Sequence, residues 1–136
     1  MKKEFVHLTD CDDIEMGVRE EINGKRVYVT PEGNVYPSIT SILGSQPKPG
    51  IEEWKEKVGY QEANKIMKES AALGTMVHSL CEDYLYNEKL QCEDQEAISV
   101  FNRLRFLLGN IDNIYGIEVP LHSDILKVAG TADCVA

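Results

Sequence analysis

Residues 115–136 read YGIEVPLHSDILKVAGTADCVA, and the way this stretch is paired decides the fold. Tyr115, Ile117, Val119 and Leu121 alternate with Gly116, Glu118, Pro120 and His122, a period of two that marks a half-buried strand. HSDI then supplies turn residues, and LKVAGTADCVA returns as a second strand. With His122 opposite Lys127, cross-strand partners sum to 249, so that Glu118 faces Thr131 and Asp133 faces Gly116. Glu118 and Asp133 then share the face opposite Ile117, Val119 and Leu121, as diagonal neighbours roughly 7–8 Å apart at Cα. A turn one residue longer or shorter changes which residues of the second strand share the face of Glu118.

Upstream of this hairpin the period is helical. Ala63, Ile66, Met67, Leu73, Gly74, Val77, Cys81, Tyr84 and Leu85 recur at the spacing of one buried stripe, which predicts helix from Ile51 to about Asn87. Gly59 and Gly74 are the soft spots within it. A second helix is expected over roughly Asp94 to Leu108, burying Ala97, Ile98, Phe101, Leu104 and Leu108. Before these, KRVYVT, PEG and NVYP read as a β-hairpin. PSITSILG reads as a short helix with Ser38 as N-cap and Gly44 as its stop, and SQPKPG as a connector. The expectation is one α/β (α+β) domain over residues 1–136. It has a hairpin region (1–37), a helical region (38–110) and the first hairpin of a core sheet (111–136).

Composition bounds the function. A chain of 136 residues with 43% hydrophobic and 27% charged residues is ordinary for a folded domain. No apolar run approaches the roughly 18–20 residues that span a bilayer, and MKKEFVHLTD has no apolar segment of signal-peptide type. Cys11, Cys81, Cys92 and Cys134 form no C-x-x-C pair, so reduced thiols in a cytoplasmic protein are expected, with no zinc site or disulfide scaffold. The net charge of −9 disfavours non-specific binding to nucleic acid. Residues 38–70 are the exception to the acidic balance, with five basic and five acidic side chains. Lys48, Lys55, Lys57, Lys65 and Lys68 all fall there, so a polyanion would meet the chain in that segment, although solvated helix faces read the same way.

Three groups on the helix bear on chemistry. His78 has Thr75 three residues before it and Glu82 four residues after it, which places them at neighbouring positions of one surface. His78 lies about 60° from the centre of the apolar stripe, at an edge suited to a cleft. A histidine and carboxylates suit Mg²⁺ or Mn²⁺ acting on phosphate, because hard oxygen donors hold a hard cation.

YPSITSIL, the helical GTMVH with its following Glu82, IEVPLHS and GTADCVA together resemble the PD-(D/E)XK nuclease superfamily. The resemblance is nearest to the RecB-like branch of phage-encoded exonucleases and the mitochondrial genome maintenance exonuclease, and it covers about Gly24 to Ala136 in order. It implies a restriction-endonuclease-like mixed sheet and a divalent-metal-dependent DNA exonuclease of bacterial or phage-infected cytoplasm. By position, His78 and Asp133 would be metal ligands and Glu118 a supporting catalytic acid, with Glu82 and Thr75 behind them. The lysines 48, 55, 57, 65 and 68 would guide DNA. No iron–sulfur cluster is expected, since the cysteine spacing does not match.

The family's next motif, a strand carrying D/E-x-K, is not found after Asp133, and the Glu53/Lys55 pair stands in the wrong element and order. The resemblance therefore implies a polypeptide inactive alone, or one completed by another chain. Two other readings stand beside it. One is a non-catalytic remnant that binds DNA or protein, or that oligomerises by strand exchange at an open sheet edge. The other is a helical domain whose histidine and acids are surface groups only.

Overall fold

The computed structural model describes residues 3–15 and 17–136. The chain is α+β, and it divides into two compact units. One runs from Lys48 to Asp112 and takes in the N-terminal residues up to Phe5; the other comprises Val6–Pro47 and Asn113–Ala136.

The helical unit holds α2 (Pro49–Val58), α3 (Tyr60–Leu85) and α4 (Gln95–Leu108). Pro49 opens α2, where its missing N–H costs nothing. The single residue Gly59, at φ 88°, separates α2 from α3, a backbone angle that a side chain would strain. Of the two expected soft spots, only Gly59 breaks the helix; Gly74 lies inside α3. Asp94 caps α4 by accepting from the Ala97 amide at 2.8 Å. At the other end of α4, Lys3 Nζ donates to the carbonyls of Gly109 (2.7 Å) and Ile111 (2.5 Å), placing a cation on the negative end of the helix.

The core of this unit is narrower than the periodicity suggests. Ala63, Val77, Leu80, Tyr84 and Leu85 of α3 and Ala97 and Phe101 of α4 are buried. Ile66, Met67 and Leu104 remain 36%, 46% and 36% exposed, while Leu80, absent from the expected stripe, is buried. Tyr84 is the hub, meeting Phe101 edge-on at 5.7 Å and Phe5 at 5.1 Å. Asn87, in the left-handed region at φ 62°, holds Phe5 through both amide atoms: it accepts from the Phe5 N–H at 2.7 Å and donates to its carbonyl at 2.9 Å.

The sheet unit holds β1 (Val18–Ile22), β2 (Lys25–Val29), β3 (Val35–Pro37), α1 (Ile39–Gly44), β4 (Gly116–Ser123) and β5 (Val128–Val135). The expected hairpin forms as β2–β3, with Tyr28 opposite Tyr36. Asn23-Gly24, both at positive φ, adds β1 through a tight turn that the hairpin reading left out. Ser38 caps α1 as expected, accepting from the Ser41 amide at 3.0 Å.

The strands do not form one mixed sheet. Short local turns produce two antiparallel sheets, β1–β2–β3 and β4–β5; an isolated parallel bridge at Ser38–Ala129 ties the end of β3 to β5, and another pairs His7 with Ile114. Tyr28, Tyr36 and Ala129 pack as the core of this unit, and the Tyr28 hydroxyl lies 3.1 Å from that of Thr131.

Candidate metal-binding carboxylates and the helix histidine

The register of β4–β5 differs from the expected one. Ile117 pairs with Cys134, Val119 with Ala132 and His122 with Ala129, so partners sum to 251 rather than 249. The turn spans four residues, Asp124–Lys127, and Lys127 enters it in the left-handed region at φ 54°. Lys127 therefore belongs to the turn and is not opposite His122. A shift of two preserves which residues share a face. Glu118 and Asp133 accordingly stay together, but as directly opposed residues between the Ile117–Cys134 and Val119–Ala132 pairs, not as diagonal ones.

Glu118 departs from strand geometry. Its φ of 53° is left-handed, a conformation that costs a residue with a Cβ roughly 1–2 kcal/mol. The ladder is interrupted at this position. Both carboxylates are exposed, and an oxygen of one lies within 4.8 Å of an oxygen of the other. Two oxygens on one Mg²⁺ are at most about 4.2 Å apart, given bonds of about 2.0–2.1 Å. The pair therefore fits a hard cation with little side-chain rotation. Gly116 has a packing role beside this pair: a Cβ there would stand 2.5 Å from a Val119 methyl and 3.1 Å from Cys11 Cβ.

His78 is exposed on α3, and its Nε2 lies 2.7 Å from Glu82 Oε1. That contact keeps the imidazole proton on Nε2 and so places the ring's lone pair on Nδ1, the ligating arrangement when a carboxylate sits behind a histidine. Thr75 is not engaged with the histidine through its hydroxyl proton, which it donates to the Ala71 carbonyl at 3.0 Å. Of the five lysines, Lys55 pairs with Glu52 at 3.2 Å. Lys48 stands before α2, Lys57 is in its last turn, and Lys65 and Lys68 are exposed on α3.

Sequence reasoning missed one polar cluster. The Tyr36 hydroxyl donates to Asp124 Oδ1 at 2.5 Å, while His122 Nε2 lies 3.8 Å from Asp124 Oδ2 and its ring 6.2 Å from that of Tyr36. The Asp124 hydrogen bond raises the Tyr36 phenol above its ordinary value, followed by burial and the negative charges of Asp124 and Glu32. No local spacing signals a contact between residues 36 and 124. The four cysteines are free thiols. Burial, with the charges of Glu82 and Asp133 respectively, pushes the Cys81 and Cys134 thiols up.

Among the described residues no helix is long and apolar enough to cross a membrane. Comparison with protein-family models, curated proteins and solved structures finds no match to this chain.

Proposed function

We propose that this chain carries metal-binding residues of a divalent-metal-dependent DNA exonuclease of the RecB-like PD-(D/E)XK branch, with the β4–β5 hairpin as part of a restriction-endonuclease-like core. The observation that supports it best is the opposed Glu118–Asp133 pair, with Glu118 held in a strained backbone conformation. Strain of this kind concentrates where a side chain must be aimed. Two like charges set face to face on a strand pair disfavour the metal-free chain, and a cation relieves that.

Asp133 is the principal ligand in this reading and Glu118 its neighbour. His78 is a nitrogen ligand on the strength of the motif resemblance, and Glu82 fixes its tautomer. A bound Mg²⁺ or Mn²⁺ would polarise a phosphoryl oxygen and lower the pKa of a coordinated water. The lysines of residues 48–68 supply positive charge for the phosphate backbone.

Mn²⁺ titration of this chain by calorimetry, with DNA digestion by the polypeptide that carries it, tests the reading. Wild-type chain is expected to bind Mn²⁺, and Asp133→Ala to abolish both binding and digestion while leaving the fold intact. Digestion at wild-type rate by Asp133→Ala would sink the assignment.

A second reading, a binding or oligomerising remnant, draws on the sheet edge. Among the described residues β5 pairs with β4 alone apart from the Ser38–Ala129 bridge, whereas β4 carries Pro120 and the left-handed Glu118. Edge pairing would thus use β5. Light scattering that finds a concentration-dependent dimer supports it.

A further inference from the structure

We propose that β1 is the contact strand of a symmetric dimer, in which two copies of this chain join edge to edge through Val18–Ile22. The proposal stands apart from the nuclease reading and from the β5 edge, since β1 belongs to the other sheet. β1 pairs with β2 on one side, and all five of its residues are exposed. Among the described residues no strand or bridge pairs with its outer edge. Such an edge presents a row of unpaired backbone groups to another strand.

The turn decides which backbone groups these are. Ile22 and Lys25 flank the two-residue turn Asn23-Gly24, so they form a hydrogen-bonded pair, and bonding to β2 alternates from there. Val18, Glu20 and Ile22 thus direct N–H and C=O toward β2, while Arg19 and Glu21 direct theirs outward. A second β1 laid antiparallel must pair through these outward residues. With Glu20 on the two-fold axis, Arg19 meets Glu21 of the second copy, and Glu21 meets its Arg19, each pair exchanging both backbone bonds. Val18 then meets Ile22 of the second copy in the non-hydrogen-bonded positions, where side chains stand closer.

Charged side chains on an edge ordinarily discourage pairing. Here VREEI set against its own reverse places Arg opposite Glu twice and Glu20 opposite itself once. Neither Arg19 nor Glu21 makes an ion pair among the described residues. Arg26 stands opposite Glu21 on β2, so charge alternates from Arg26 to Glu21 to Arg19 across the joined strands. Other registers lose this match. A slip of two residues sets Arg19 against Arg19 or Glu21 against Glu21, and a slip of one sets the apolar face of one sheet beside the charged face of the other. In a chain of net charge −9, where two copies repel in general, the opposed charges select this edge.

The outer face of the sheet adds apolar contact. Val18, Val29 and Val35 form one row across the three strands. Val18 and Val35 are 59% and 53% exposed, and Ile22 is 46% exposed. Pairing continues the row, with Val18 packing on Ile22 of the second copy, and so removes apolar surface from water. The contact uses the same strand of both copies, so assembly closes at two.

Sedimentation equilibrium over a range of protein concentration is expected to show a reversible dimer of the wild-type chain. Arg19→Glu sets like charges in both pairs and is expected to weaken dimerisation at least about tenfold, and Arg19→Glu with Glu21→Arg to restore it. Glu20→Thr removes the one like-charge contact and is expected to tighten the dimer about threefold. Glu20→Cys brings two thiols to the axis with Cα atoms about 4.5 Å apart, within the range that a disulfide bridges. With oxidised glutathione it is expected to cross-link faster than the wild type, whose four free cysteines give the background. Arg19→Pro removes an outward N–H, and added to Glu20→Cys it is expected to return cross-linking to background. A wild-type chain that stays monomeric at every concentration overturns the proposal. So does dimerisation unchanged by Arg19→Glu, or Glu20→Cys that cross-links no faster than the wild type. A dimer that persists in Arg19→Pro uses another surface, the β5 edge included, and overturns it too. Should Arg19→Pro fail to fold by circular dichroism, the exchange of Arg19 and Glu21 decides the matter alone.

Discussion

Replacing Asp133 with Asn separates two effects of the carboxylate pair. In the metal-free chain, two unit charges at 4.8 Å, the upper limit of their separation, repel by about 0.9 kcal/mol in a watery environment. Salt at 0.1 M, with a Debye length of about 10 Å, reduces this to roughly 0.5 kcal/mol. For a chain of this length, 1 kcal/mol corresponds to roughly 4 °C, so Asp133→Asn is expected to raise the Tm in EDTA by about 2 °C. With Mn²⁺ at about 100 times its Kd, the wild type gains about 2.7 kcal/mol, or roughly 11 °C, and the variant gains little. The order of the two melting curves therefore reverses between EDTA and Mn²⁺. Differential scanning fluorimetry with and without metal reads both shifts. An undiminished Mn²⁺ shift in Asp133→Asn refutes the metal assignment, and a lower Tm in EDTA refutes the repulsion.

The same structure gives three further expectations. Phe101→Ala empties the space beside Tyr84 and should cost about 3–5 kcal/mol, read as a lowered midpoint in urea. Asp94→Ala removes the cap on the Ala97 amide and should cost about 1 kcal/mol by the same measurement, an unchanged midpoint counting against the cap. Tyr36 has a folded-state pKa raised above 10.0, so its hydrogen bond to Asp124 contributes fully below pH 10.0 and is lost as pH rises through the raised value. Urea melts from pH 8 to pH 11.5 should therefore fall more steeply for the wild type than for Tyr36→Phe, and parallel curves would contradict the linkage.

Much of the local structure was legible. Ser38 and Asp94 mark helix starts because a short polar side chain reaches the amide three residues on. The alternation in Tyr115–Leu121 identifies β4, because side chains point to opposite faces. Asn23-Gly24 carried an equally clear turn signal, which the reading passed over, and with it β1. Core membership was less legible: Ile66 and Met67 fit the stripe of α3 as well as Leu80 does, but only the packing of particular partners decides which is covered.

For the candidate site, the sequence by itself determined the donor chemistry: a histidine four residues before a glutamate on a helix, and two acids on adjacent strands. Parity alone put Glu118 and Asp133 on one face in either register. The tertiary structure decided that they are opposed rather than diagonal, because a four-residue turn sets the pairing sum at 251. It also placed Glu118 in the left-handed region and Tyr36 on Asp124. Such features depend on turn geometry and on contacts between residues far apart in the chain. Neither a two-residue nor a 3.6-residue period carries that information.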